Sequence, residues 1–178
     1  MRKVLYVLGQ LSDMDVEWMV RAGTRRHLQD GEIIIDEGQH IPSLYILLSG
    51  QLGVEVAGVG QMKPLQSGDI VGEMSFVDSA PTSATVRARG EAMVLELPKQ
   101  DVEAKIASDA DFGLRFYRAI AMFLADRLRT VLHLNAAGGT TLGSAAVQED
   151  ELDDKLLDSV SLAGERFDRM MRVLARQR

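Results

Sequence analysis

The stretch that decides the fold is residues 67–88, SGDIVGEMSFVDSAPTSATVRA. A short helical turn is predicted to start at Gly72, with Glu73 in its first turn. Pro81 ends the connection because proline cannot continue a hydrogen-bonded element, and Ala84–Ala88 resumes a strand. A glycine at a helix start lets backbone N–H groups converge on an anion, and the adjacent carboxylate can accept hydrogen bonds from a sugar hydroxyl. The segment suits an anionic sugar ligand, although ordinary helix capping explains the same Gly-Glu pair.

The sequence around this stretch, from about Gly31 to Pro98, is punctuated by glycines that separate short runs of β character. The runs are Glu32–Asp36, Leu44–Leu48, Leu52–Val56, Ala84–Ala88 and Ala92–Leu97. Short strands at this spacing, with turn residues between them, predict an all-β roll or barrel over about residues 31–97. The Ser49-Gly50 pair predicts a tight turn between two of the runs.

Helices are predicted on both sides of the β region. Residues 1–30 are interpreted as short helices, with an N-cap near Ser12 and a stop at Gly23. A long helix is predicted from Asp109 to about Asn135, because apolar residues recur three and four positions apart. Its apolar face consists of Tyr117, Ile120, Leu124, Leu128 and Val131, thickened by Phe112, Phe116 and Phe123.

The C-terminal part divides into a glycine-rich linker at 136–148 and an amphipathic tail helix at 149–178, so that residues 1–135 form one domain. Acidic residues open the tail and arginines close it, as the helix dipole favours. Its apolar seam consists of Leu152, Leu156, Val160, Ala163, Phe167, Met170 and Leu174. This four-three spacing suits either packing on the same domain or docking on a partner protein over residues 152–174.

Composition narrows the functional classes. The 178 residues include no cysteine and carry a net charge of −6, which argues against thiolate chemistry and disfavours a DNA-binding surface. The tail does not form a helix-turn-helix, so no direct DNA binding is expected. No apolar run approaches the length of a membrane span, and a cytoplasmic protein is expected. The three histidines lack metal-ligand spacing, no catalytic set is evident, and a non-enzyme is predicted.

In their order and spacing, these segments resemble the cyclic-nucleotide-binding domain family, of the catabolite-activator and protein-kinase-regulatory-subunit type. Residues 67–88 are similar to its phosphate-binding cassette, Asp30–Gly38 to its first strand and turn, and Leu44–Leu52 to its next hairpin. The resemblance covers about residues 10–135. It implies an antiparallel β-roll of double-stranded β-helix or jelly-roll type, flanked by an N-terminal helical segment and a long C-terminal helix.

The resemblance also implies a function and a site. The function is that of a regulatory or sensor module whose ligand is a cyclic nucleotide (cAMP or cGMP) or another anion. Glu73 would accept the ribose 2′-hydroxyl, and Ser83 would lie beside the phosphate. The implied ligand-binding residues are Val71, Gly72, Glu73, Met74, Ser75, Thr82, Ser83, Ala84 and Thr85. The helix of about 109–135 would cap the base and form a homodimer.

One residue departs from the family pattern. Thr82 occupies the position at which the family has an arginine, and a neutral hydroxyl cannot replace a bidentate charged contact to phosphate. Weak or altered binding is therefore expected. Arg87 and Arg89 follow on the next strand and are candidate replacements for that arginine, but we favour the interpretation that they face solvent or pair with surface acids. The alternative function is a dimerisation or protein-docking module on the same fold that binds no ligand.

Overall fold

The computed structural model describes residues 8–138 and 154–176, with side chains over 8–129 and 162–174. The helices are α1 (Asp13–Ala22), α2 (Glu73–Val77), α3 (Lys99–Ser108), α4 (Ala110–Gly138) and α5 (Asp154–Arg176). The strands are β1 (Thr24–Leu28), β2 (Ile33–Ile35), β3 (Ser43–Val56), β4 (Gly60–Gln61), β5 (Leu65–Gln66), β6 (Ile70–Val71) and β7 (Thr85–Pro98). All strand pairs are antiparallel. The predicted antiparallel β-roll with flanking helices and a tail helix is confirmed.

The centre of the sheet is a ribbon of two 14-residue strands, β3 and β7, paired from Ser43↔Pro98 to Glu55↔Thr85. The predicted tight turn at Ser49-Gly50 is wrong, because β3 continues through both residues and only the register shifts there. Gly50 has φ +85, and a side chain would collide with the backbone of Glu91 and Ala92. The glycine therefore marks a β-bulge rather than a chain reversal.

The sheet begins earlier than the predicted boundary near residue 31. Strand β1 pairs with β7 from Thr24↔Glu96 to Leu28↔Ala92, where short helices were expected. Only Leu28 of this strand is buried, so its polar sequence lacks the apolar alternation by which a strand is recognised. Its backbone pairing with β7 determines its conformation instead.

Helix α4 lies against the roll through an aromatic face. The rings of Phe112, Phe116 and Phe123 are buried in one apolar cluster with residues of α1, β3, β7 and α5. The apolar face predicted for this helix divides in two. Ile120 is buried with the phenylalanines, whereas Tyr117 and Leu128 are exposed. The side chain of Val131 lies outside the described residues.

Helix α1 begins as predicted, at the Ser12 N-cap. The Ser12 hydroxyl accepts the Asp15 N–H at 3.2 Å, and the Asp15 carboxylate accepts the Ser12 N–H at 2.7 Å, which completes a capping box. The buried Asp15 carboxylate also accepts two hydrogen bonds from Arg115 of α4, at 2.7 and 3.0 Å. This bidentate pair fixes α1 against α4.

Helix α5 packs on its own domain, which is one of the two arrangements that its seam allowed. Ala163, Met170 and Leu174 join the cluster beneath α1 and α4. Arg166 and Arg169 form ion pairs with Asp13 of α1. Helix α4 extends to Gly138, and the rest of the predicted linker lies outside the described residues, as does Leu152 of the seam.

Candidate ligand-binding site

The site is built around the start of α2. Gly72, at the N-cap, has φ +88, a conformation that favours glycine. A side chain there would also approach Ile41 Cδ1 to 2.7 Å. This left-handed turn directs the chain from β6 into α2. Glu73 follows it and is 2% exposed.

Beside α2 lies a cleft of about 520 Å³, part of it open to solvent. The cassette residues that line it are Val71, Gly72, Glu73, Met74, Ser75, Thr82, Ser83 and Ala84. The other lining residues are Ile35, Val54, Asp78, Pro81, Val86 and Arg127. The apolar members Ile35, Val54, Val71 and Val86 belong to one core cluster of the roll, and the polar ones come from α2, the 78–84 connection and α4.

Thr85 is the residue of the implied set that does not line this cleft. Its hydroxyl accepts the Glu37 N–H at 3.2 Å. This bond ties the start of β7 to the turn that follows β2. Thr85 therefore stabilises the position of the segments next to the cleft and does not line the cleft itself.

Thr82 lines the cleft, but its hydroxyl is engaged with backbone groups. It donates to the Asp36 carbonyl oxygen at 2.5 Å and accepts the Gln39 N–H at 3.1 Å. The Thr82 backbone also bonds to Gly38 and Gln39. Thr82 thus fastens the 36–39 turn to the cassette, a role that an arginine side chain would not fill in the same way.

The Glu73 carboxylate is paired across the cleft with Arg127 of α4, with Nη1 2.5 Å from Oε1. Burial raises the pKa of the Glu73 carboxyl, and the charge of Arg127 opposes that rise. Arg127 also lies over the Phe123 ring, 5.4 Å from its centroid. The ion pair therefore connects the cassette directly to the long helix.

The arginines of β7 are placed elsewhere, in agreement with their interpretation as surface residues. Arg87 lies 3.7 Å from Glu55, and Arg89 donates to Gln61. Neither lines the cleft. Among the described lining residues, Arg127 is the one cation, and the lining also includes the carboxylates of Glu73 and Asp78.

Sequence reasoning missed Arg127 as a site residue. A signal was present in the helical spacing, because Phe116, Ile120, Phe123 and Arg127 follow one another four, three and four positions apart. That spacing places them on one helix face, and the first three are buried against the roll. A charged residue that continues a buried apolar row needs a partner on the element it covers, and here the partner is Glu73.

A second feature couples the cassette to the helices beyond β7. Lys99, the first residue of α3, donates from Nζ to the Ser75 hydroxyl at 2.9 Å. Burial lowers the pKa of Lys99, and nearby Glu103 and Asp78 oppose that shift. Helix α2 is therefore linked both to α3 and to α4.

This combination of an antiparallel roll, a helical cassette with a buried glutamate and a long helix over the cleft defines a domain of the cyclic-nucleotide-binding type. Residues 25–109 match the model of the family described as "Cyclic nucleotide-binding domain".

The proteins similar in sequence include a protein kinase regulatory subunit and a glutaminase. The cAMP-dependent protein kinase regulatory subunit of Eremothecium gossypii is 30% identical over 97 residues, which are 54% of this chain and 21% of that protein. Glutaminase 2 of Bradyrhizobium diazoefficiens is 29% identical over 122 residues, 68% of this chain and 19% of that protein. The chain thus spans about a fifth of the length of these curated relatives.

Among solved structures, a cyclic nucleotide-binding domain from Methylobacillus flagellatus has a TM-score of 0.68 at 20% identity. The match covers 80% of this chain and 85% of that one. At this level of identity the likeness shows the fold.

Two further observations concern the described residues alone. No helix within 8–138 and 154–176 is long and apolar enough to cross a membrane. Over the same ranges, no three histidine or acidic side chains are grouped as a metal site would require.

Proposed function

We propose that this chain is a sensor module that binds a cyclic nucleotide, cAMP or cGMP, weakly in the cleft beside α2. The observation that supports the proposal most strongly is Glu73. It is a buried carboxylate at a glycine-led helix start, and it lines the cleft beside α2. A carboxylate in this position can accept a hydrogen bond from the ribose 2′-hydroxyl, which is the free hydroxyl of a cyclic nucleotide's sugar.

The weak nucleotide binding that we propose follows from the charges of the residues that line the cleft. Position 82 supplies no cation, and the Thr82 hydroxyl already bonds to Asp36 and Gln39. A charge-assisted hydrogen bond contributes about 1.5–3 kcal/mol, so its loss lowers affinity about ten- to a hundredfold. Glu73 and Asp78 add negative charge near an anionic ligand, which weakens binding further.

The test is titration calorimetry with cAMP and cGMP on the natural chain and on Thr82→Arg. We expect Thr82→Arg to bind about ten- to a hundredfold more tightly, because an arginine restores a bidentate phosphate contact. The matched control is Thr82→Val, which removes the same hydroxyl bonds and adds no cation, so its affinity should not rise.

Two results would contradict the proposal. Sub-micromolar binding of cAMP by the natural chain would show that the cleft is not weakened. If Thr82→Arg remained folded and gained no affinity, the cleft would be closed to nucleotides. The chain would then be a dimerisation or docking module on the same fold.

The proposal includes the setting in which the module acts. It is a cytoplasmic, non-catalytic homodimer without direct DNA contact. The exposed apolar residues Leu114, Tyr117 and Leu128 of α4 support the dimer, since a surface of this kind marks an interaction site. Helix α5, packed on α1 through Arg166 and Arg169, does not form a recognition helix of the helix-turn-helix kind.

A further inference from the structure

We propose that Arg127 of α4 is the residue that binds the phosphate of the ligand, so that the cation absent from position 82 comes from the long helix. This inference rests on the proposed function, because it assumes that a cyclic nucleotide occupies the cleft. It assigns to α4 a direct contact with the charged part of the ligand.

The geometry carries the first step. Arg127 lines the cleft together with Ser83, the residue expected beside the phosphate, and its guanidinium bonds to Glu73 through Nη1. A guanidinium has five N–H donors in one plane, so one bond to Glu73 leaves donors for a second acceptor. The Arg127 side chain is partly exposed, so a ligand entering the cleft can reach it.

The second observation is that Arg127 is a charged residue at a position of α4 where an apolar residue would be expected. It continues the buried row of Phe116, Ile120 and Phe123, where an apolar residue would avoid the desolvation of a charge. A pair of apolar residues at 73 and 127 would hold α4 on the cassette without buried charges. The charged pair retains a cation and a carboxylate, which are the two groups that a cyclic nucleotide phosphate and its ribose need.

The third step concerns what happens when the ligand enters. In the free cleft, Arg127 neutralises Glu73, whose carboxylate would otherwise be buried unpaired. A ligand phosphate draws the guanidinium toward itself, and a ribose hydroxyl donates to the Glu73 oxygen in its place. The ligand then bridges two groups that previously bonded to each other, so its binding alters the contact between α4 and the cassette.

The test compares cAMP with adenosine, which has the same base and sugar but no phosphate. Calorimetry on the full chain, in the natural and the Thr82→Arg backgrounds, measures each affinity before and after Arg127→Gln. We expect Arg127→Gln to lower cAMP affinity about ten- to a hundredfold in the natural background and not to lower adenosine affinity, because adenosine has no phosphate and Glu73 becomes free to accept its ribose hydroxyl. The control is Arg129→Gln, which removes an exposed arginine of the same helix and should change neither affinity.

A second comparison keeps the test decisive if Arg127→Gln destabilises the fold by leaving Glu73 unpaired. Glu73→Gln and the double variant Glu73→Gln/Arg127→Gln carry no unpaired buried carboxylate. Relative to Glu73→Gln, the double variant should lose cAMP affinity by the same factor and keep its adenosine affinity.

The outcomes separate the inference from the proposed function. If Arg127→Gln raises cAMP affinity, or changes the affinities for cAMP and adenosine equally, Arg127 blocks the cleft or only stabilises its structure. The inference then fails while cyclic nucleotide binding stands. If no background binds cAMP, Thr82→Arg included, the proposed function fails and the inference fails with it.

Discussion

The carboxylates of Asp15 and Glu73 are almost fully buried, and each is held by an arginine of α4. Burial raises the pKa of Glu73 against the charge of Arg127. Burial also acts to raise the pKa of Asp15, but the hydrogen bonds from Arg115 and Ser12 outweigh it and lower the pKa. An arginine–carboxylate pair thus favours the ionised form of Asp15 at α1, whereas the ionised form of Glu73 in the ligand cleft is disfavoured despite its arginine.

A prediction at the residue scale follows for Asp15. Asp15→Asn should lower the free energy of unfolding by about 1–3 kcal/mol at neutral pH, since a neutral amide replaces the carboxylate that accepts from the Ser12 N–H and from Arg115. A lowered pKa stabilises the fold above the ordinary carboxyl value and loses that effect as the pH falls through the folded value. The difference between variant and natural chain should therefore shrink below about pH 4.

Chemical denaturation followed by circular dichroism at pH 7 and at pH 3 measures this difference. Glu91→Gln, which neutralises an exposed carboxylate, is the control and should show almost no change. A difference between Asp15→Asn and the natural chain that is equally large at both pH values would mean that ionisation of Asp15 does not stabilise the fold.

The residue scale also shows how far the candidate site could be predicted. Gly72 and Glu73 are adjacent in sequence and act through local backbone geometry, so a short motif identifies them. Arg127 lies more than fifty positions from Glu73, and its role depends on the rotation of α4 over the roll. The engagement of the Thr82 hydroxyl with the Asp36 carbonyl likewise depends on a turn distant in sequence.

At the scale of elements, the chain shows which patterns determine structure locally. The α1 cap at Ser12 and the apolar spacing of α4 predict helices, because the interactions that stabilise them lie within one or two turns. Strand β1 is polar and is specified by β7 instead. The seam of α5 predicts an amphipathic helix but not its partner, since an own-domain and a foreign surface would bury the same residues. Ion pairs to Asp13 and Glu17 supply that information.

A prediction at the element scale concerns the packing of α5. Met170 is fully buried, so Met170→Ala should lower the free energy of unfolding by about 2–5 kcal/mol through lost burial and a new cavity. Urea denaturation of the full chain measures the change. Arg172→Ala, at an exposed position two residues away, should stay within about 0.5 kcal/mol of the natural chain. A Met170→Ala effect as small as that of the control would place α5 away from its own domain in solution.

At the scale of the whole molecule, the described part of α4 presents an apolar surface, where Leu114 is 71%, Tyr117 46% and Leu128 60% exposed. The opposite face of α4 is fixed to the roll by the phenylalanines, and of the three residues Tyr117 also contacts the ring of Phe76 in α2. The long helix can therefore contact a second copy without giving up its contact with the ligand cleft.

The prediction at this scale is a homodimer through α4. Analytical sedimentation at micromolar concentration should give a dimer for the natural chain and a monomer for Leu128→Glu, since a charge in an apolar interface is costly to bury. Met14→Glu, at an exposed apolar position on α1, is the matched control and should remain dimeric. A natural chain that sediments as a monomer near 19.5 kDa would refute the dimer.

Strand β7 has neighbours along both edges, β3 on one and β1 and β2 on the other. Where it is flanked on both sides, its amide protons are shielded whichever edge they point to, and they exchange with solvent only when the sheet as a whole opens. Helix α2 has five residues and is held by the Gly72 turn and a few side-chain bonds, so its amides can exchange through a local opening. Amide hydrogen exchange in β7 thus reports on global unfolding, whereas exchange in α2 reports on local opening at the ligand cleft.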